Sequence, residues 1–122
     1  MSSDGGRLLD HVEQMEIAAE KALSFVAGMS KSSFLTDEKT QMAVAMALVI
    51  LGENVTRILA LNPHIDTEHP QVPWVKIKGM RDLVAHDYYE LQLDVVWKTL
   101  QDDLPPLLSQ LRMLRQIRAQ GE

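Results

Sequence analysis

The sequence predicts an all-α protein, an antiparallel four-helix bundle with room for one extra short helix. Three observations carry this. Apolar residues recur at three- and four-residue steps along most of the chain. No stretch alternates in the manner of a strand. The composition is 46% hydrophobic but only 5% aromatic, so the core is aliphatic and includes seven Met. Such a core suits helices better than sheets, where β-branched and aromatic side chains are enriched. The 122 residues suffice for a single domain, read as residues 1–122, and are too few for two.

The first helix is expected over residues 7–29. Leu8, Val12, Met15, Ala19, Ala22, Leu23 and Val26 form its apolar stripe, and Asp10, Glu13, Glu16 and Glu20 cover the other side. Gly28 and the polar residues 30–33 end it. The second helix is expected from Thr36 or Asp37, both good caps, to about Leu59, with Glu38 in the favourable first turn. Residues 42–51 are apolar all round, which predicts a helix that is central in the bundle and that in part meets another subunit. Glu53 follows this run, either as a buried, partnered carboxylate or at its exposed end. Residues 62–70 read as a polar connection with two prolines and space for one helical turn. Pro73 suits the first position of a third helix, because the N–H it lacks has no intrahelical partner there. Trp74, Ile77, Met80, Leu83 and Val84 continue that helix to His86 or Asp87. A last helix starts between residues 91 and 94, and its stripe runs from Leu93 through Leu100, Leu107 and Leu111 to Leu114. Pro105 and Pro106 fall inside it and are expected to kink it.

The chain has no cysteine, which excludes disulfides, thiolate catalysis and Cys-type zinc sites. The N-terminal residues carry no basic and apolar segments of a secretory signal. The longest apolar run, residues 42–51, is half of the roughly 20 residues a membrane span requires. These features predict a soluble, cytoplasmic protein with no membrane contact. A net charge of −5 argues against a general nucleic-acid binder. Residues 104–121 nonetheless hold no acid, and Arg112, Arg115 and Arg118 recur every third position. They read as a solvated helix end favoured by the helix dipole, or as a contact for a partner or RNA, with the solvated face preferred. His11, His64 and His69 read as surface histidines, and no metal site is predicted. Phosphate-binding glycine loops, paired catalytic carboxylates and serine nucleophile motifs are missing.

The segment from Arg81 to Tyr88 concentrates the chemistry. Arg81 is a fixed cation whose planar fork suits phosphate. His86 titrates near neutrality and can move a proton. Tyr88 adds a phenol. Five residues turn a helix by about 140° off the starting face, so Arg81 and His86 diverge on a regular helix while Arg81 and Tyr88 share a face. A joint site requires the helix to end near His86, or a second copy of the chain to supply the complement across a twofold axis. The alternative is structural: Arg81 pairs with Asp82, Asp87 or Glu90, and His86 is a polar helix end.

The spelling Arg81-x4-His86-x-Tyr88 resembles the signature of the HEPN superfamily, and specifically of its HepT-like toxins. The resemblance extends through residues 34–41, the apolar run 48–53 ending in Gly-Glu, residues 73–74 and 78–88, and residues 95–97 and 103–105, in the family's order. It implies an all-α homodimer, and a toxin that cleaves RNA, tRNA or mRNA, with no cofactor. It implies that His86 acts on the proton of a ribose 2′-hydroxyl or of the leaving oxygen. Arg81 then holds the scissile phosphate. It further implies a nucleotidyltransferase antitoxin, similar to MntA, that transfers AMP to Tyr88. A second class of function stays open: a non-catalytic helical partner of that transferase, with Arg81, His86 and Tyr88 as its docking and modification site.

Overall fold

The computed structural model describes Ser3 to Gly121, and its regular elements among these residues are all helical. Helix α1 spans Ser3–Phe25 and a short α2 spans Lys31–Leu35. The long α3 spans Glu38–Leu61, followed by a single turn, α4, at Ile65–Glu68. Helix α5 spans Trp74–His86, and a 3-10 turn covers Tyr88–Glu90. The last rod consists of α6 (Leu93–Lys98), a π turn (Thr99–Asp103) and α7 (Leu104–Gly121). The reading of the N-terminal signal region includes Met1 and Ser2, which lie outside the described residues.

The four long rods predicted from periodicity are present, with instructive differences at their ends. Helix α1 stops at Phe25, and Gly28 then takes φ +78°, a left-handed turn that glycine adopts at little steric cost. Residues 30–33 do more than end it. Ser30 and Ser33 form a reciprocal capping box, which starts α2. Phe34 is thereby buried and its ring lies 5.4 Å from that of Trp97. Asp37 caps α3 by accepting from the Thr40 N–H at 3.1 Å. Pro73 sits one position earlier than expected, as the cap of α5 and not its first residue. The buried Trp74 indole donates to the His69 carbonyl at 3.0 Å, which fixes the start of α5.

Pro105 and Pro106 do not break the last rod. They deprive the carbonyls one turn earlier of N–H donors, and the backbone widens there into the π turn. The Leu104 N–H reaches back five residues to the Thr99 carbonyl. Leu100, Leu104, Leu107, Leu111 and Leu114 stay in the core.

The core runs along α1, α3 and α7, with Val12, Met15, Ala19, Leu48, Leu51, Val55 and Ile58 buried at its centre. Helix α3 is not covered all round: Met42, Met46 and Ile50 are exposed, at successive four-residue steps along one face. By length and composition, α3 is the one described helix apolar enough to cross a membrane, so the ten-residue estimate from sequence understated it. Its packing between α1 and α5 accounts for much of that apolarity.

The C-terminal arginines stay partly solvated, as the preferred reading expects, but each is paired with an acid on another element. Arg115 donates to both oxygens of Glu16, at 2.6 and 3.1 Å, and Glu16 is 3% exposed. Arg112 pairs with Glu20 at 3.3 Å, and Arg118 with Glu68 at 3.5 Å. The arginines hold α7 against α1 and against the α4 turn. Two of the three histidines read as surface groups are also built in. His11 bonds the buried Asn54 at 2.9 Å, and His69 lies 3.3 Å from an Arg118 nitrogen. Burial, and then the Arg118 charge, lower the His69 pKa from its ordinary value.

Candidate active site

The site grows from the contact between α3 and α5. Gly52 is buried on α3, and an added methyl there would overlap the Cβ of Arg81 and lie 3.2 Å from the Ile77 carbonyl oxygen. The missing side chain lets the two helices approach and brings the Arg81 stem onto α3. The neighbouring residue Glu53 then accepts from Nη2 of Arg81 at 2.9 Å. Asp82 accepts from Nη1 at 3.0 Å. The Nε atom of Arg81 is buried and has no hydrogen-bond partner. Hydrogen bonding to Asp82, followed by the Glu53 charge, raises the Arg81 pKa, so the side chain remains a cation. Arg57 completes the cluster, 3.8 Å from the other Glu53 oxygen.

The structural pairing expected of Arg81 is present with Asp82, and a further one joins it across the helices to Glu53, which the sequence had left open between buried and exposed. Glu53 is 38% exposed and partnered, between those two expectations. Glu53 and Gly52 were visible in the sequence as the end of the apolar run. A glycine inside such a run costs helix stability and is the signal that could have pointed to close packing.

His86 is the last residue of α5 and is exposed. Asp87 leaves the helix (φ −131°, ψ 43°), with its N–H still bonded to the Leu83 carbonyl at 2.8 Å. The helix thus ends where a joint site needs it to, but it stays regular up to His86. Among the described residues no hydrogen bond joins Arg81 to His86. One chain places the two on the same short helix without bringing them together.

Tyr88 opens the 3-10 turn and is half-buried against the core. Burial, followed by the charge of Glu38 at the start of α3, raises its pKa and keeps the phenol protonated. Tyr89 packs edge-on against it, with ring centroids 5.4 Å apart and planes at 80°.

Among the described residues, no group of three or more His, Asp or Glu side chains is placed to hold a metal ion. A cavity of about 220 Å³ lies between α5 and the last rod, among Ile77, Met80, Leu51, Leu104 and Leu107. The Lys76–Asp103 ion pair, at 3.3 Å, stands among its lining residues.

Comparison with known proteins agrees with the motif. The family model described as "Ribonuclease HepT-like" matches residues 15–114. A protein of Thermococcus cleftensis named "Probable ribonuclease HepT" is 36% identical over 107 residues, covering 87% of this chain and 94% of its own. Two provisionally named RNases are each 31% identical. One, from Caldanaerobacter subterraneus subsp. tengcongensis, is covered to 91% by 88% of this chain; the other, from Methanocaldococcus jannaschii, is covered to 75% by 80% of it. No solved structure matches the chain significantly. With a model match over most of its length and relatives covered nearly end to end, the chain belongs to the HepT-like ribonuclease family.

Proposed function

We propose that this protein is a cytoplasmic endoribonuclease, the toxin of a toxin–antitoxin pair, acting through Arg81 and His86 without a metal. The observation that carries the reading is the state of Arg81 in a chain of this family. Its stem is seated against Gly52, and its partly exposed guanidinium is held by Glu53 and Asp82. A phosphate is the natural complement of a planar, permanently charged fork of donors.

In the proposed reaction, the ribose 2′-oxygen attacks phosphorus and the bond to the 5′-oxygen of the next nucleotide breaks. The products are a 2′,3′-cyclic phosphate and a 5′-hydroxyl. His86 takes the proton from the 2′-hydroxyl or delivers one to the leaving oxygen. Arg81 offsets the charge that develops on the phosphoryl oxygens. The nucleophile makes the substrate RNA and not DNA.

A homodimer completes the site. The exposed row of Met42, Met46 and Ile50 supports one, because a contiguous apolar strip on a helix is a common contact surface. Two copies meeting there would set two Arg81 and two His86 side chains around one groove, so that one imidazole accepts a proton while the other donates.

The proposed antitoxin is a nucleotidyltransferase that moves AMP from ATP to the Tyr88 oxygen and releases pyrophosphate. The added phosphate would compete with RNA for Arg81. A second reading has one observation in its favour. Arg81 is paired with two carboxylates, as a structural arginine is, and this favours a non-catalytic partner of the transferase in which Tyr88 only receives the nucleotide.

The test is cleavage of total cellular RNA in the presence of a chelator. The wild type, His86→Ala and protein pretreated with the transferase and ATP are compared. Cleavage by the untreated wild type alone, leaving cyclic-phosphate ends, is expected. No cleavage by any form, with Tyr88 labelled by ATP, would replace the ribonuclease with the nucleotide-accepting partner.

A further inference from the structure

We propose that Tyr89 is a stacking platform for a base of the RNA substrate, next to the cleaved bond; this rests on the ribonuclease reading above. Tyr89 is 96% exposed, whereas the rings of Phe34 and Trp74 are buried, those of Trp97 and Tyr88 are half-buried, and Phe25 is 40% exposed. In a chain this poor in aromatics, a bare ring beside the motif needs an account.

Its backbone is held in a closed turn. The 3-10 turn is closed by the Glu90 N–H on the Asp87 carbonyl at 2.9 Å, and by the Leu91 N–H on the Tyr88 carbonyl at 3.2 Å. Tyr88, packed against the core, meets the Tyr89 ring edge-on, and the Tyr89 ring stands almost wholly in solvent.

Its position is useful. Tyr89 lies three residues beyond His86, so their Cα atoms are within roughly 11 Å of each other. A base on Tyr89 therefore belongs to the cleaved nucleotide or a near neighbour. The flanking acids decide which part of the strand sits there. Asp87 and Glu90, exposed and adjacent in sequence to the tyrosine pair, carry no compensating cation in their own turn and repel phosphate. Arg81 and Arg57 offset the acids between α3 and α5, so the sugar–phosphate chain runs there with a base turned onto the ring. Every base offers a π face, so such a platform fixes register without selecting sequence.

The test uses the His86→Ala protein, which holds RNA without cutting it, and fluorescein-labelled 12-nucleotide oligo(A) and oligo(U) RNA read by polarisation. Adding Tyr89→Ala is expected to weaken binding roughly tenfold, within the range for losing one base–aromatic stack. Tyr89→Phe and Tyr89→Trp should stay within about twofold of the parent. On the same strands carrying abasic ribonucleotides, the penalty of Tyr89→Ala should vanish. In an otherwise wild-type protein, Tyr89→Ala should raise KM and leave kcat within about twofold.

Unchanged RNA affinity in Tyr89→Ala would overturn the platform and leave the ribonuclease reading standing. Equal losses in Tyr89→Phe and Tyr89→Ala would overturn it in favour of the hydroxyl. A changed molecular mass for Tyr89→Ala by light scattering would overturn it by making the ring an assembly contact. RNA binding by none of the forms would remove the ribonuclease reading and the platform together.

Discussion

Gly52 on α3 lies directly against Arg81 on α5, so closely that any side chain at 52 would occupy the space of the arginine stem. Gly52→Ala must push the helices apart at this point. The expected cost is about 1–3 kcal/mol, typical of overpacking, read from urea unfolding. RNA cleavage by the folded fraction should fall about tenfold, because a small misplacement of a phosphate-holding group is expensive. Wild-type stability and cleavage in this variant would mean that α5 adjusts freely and that Gly52 does not position Arg81.

Glu53 tests the same positioning without crowding. Its ion pair with Arg81 is partly exposed, so little stability should depend on it. Glu53→Ala releases the guanidinium from α3 and is expected to lower kcat about tenfold with a small change in thermal midpoint. Glu53→Gln keeps a hydrogen-bond acceptor and should lose less. A rise in cleavage for either variant would show that Glu53 restrains Arg81 from RNA.

Met46 lies at the middle of the exposed row on α3, 59% accessible. Met46→Glu places a charge where a second copy is proposed to pack. Light scattering should then report the 13.8 kDa chain alone, with cleavage lost and helical circular dichroism retained. A wild type that already runs at that mass would remove the dimer from the mechanism.

Among the C-terminal arginines, Arg115 should matter most for stability. Arg115→Ala removes both hydrogen bonds to the buried Glu16 carboxylate and leaves it only the more distant Arg112 at 4.0 Å, whereas Arg112→Ala chiefly releases the exposed Glu20. The urea midpoint should drop clearly for the first and little for the second. Neither is expected to change RNA affinity, and a selective loss of RNA binding in Arg115→Ala would restore a nucleic-acid role to this face.

Stability should also fall with acidification through His69. Its folded pKa lies below the unfolded value of about 6.5. Between those two values the unfolded chain binds more protons, so stability declines as the pH drops through that window and levels off below it. His69→Asn should flatten that part of the profile. Melting curves from pH 7.5 to 5 compare the two, and an unchanged slope would mean that Arg118 and Glu68 rearrange around the charge.

Much of the fold was legible because its rods obey a helical period. Asp37 followed from capping preference, the turn in residues 62–70 from its polar residues and prolines, and the end of α5 near His86 from where its apolar step runs out. Helix α2 was missed because Ser30 and Ser33 read as punctuation, while their reciprocal hydrogen bonds make them a start signal. The π turn was missed because its leucines keep four-residue steps. In an ideal α-helix, repeated four-residue steps drift by about 40° each, and a wider turn absorbs that drift. The pairings of Arg115 with Glu16 and of His11 with Asn54 span most of the chain or much of it, and no local pattern encodes them. In the candidate site, Arg81, His86 and Tyr88 were found by spacing, whereas the contribution of Gly52 and Glu53 required the helices to be seen together.

Helix α5 is the least anchored of the long rods. It buries only Trp74 and Val84, against nine residues of α3, and toward the last rod it faces the cavity, bridged by the exposed Lys76–Asp103 pair. Local opening free energy follows such contacts. The backbone amides of α5 should therefore exchange with deuterium well before those of α3, while the rest of the bundle remains closed. The helix that carries Arg81 and His86 is then held chiefly by its packing on α3, and its protection from exchange reports that one contact.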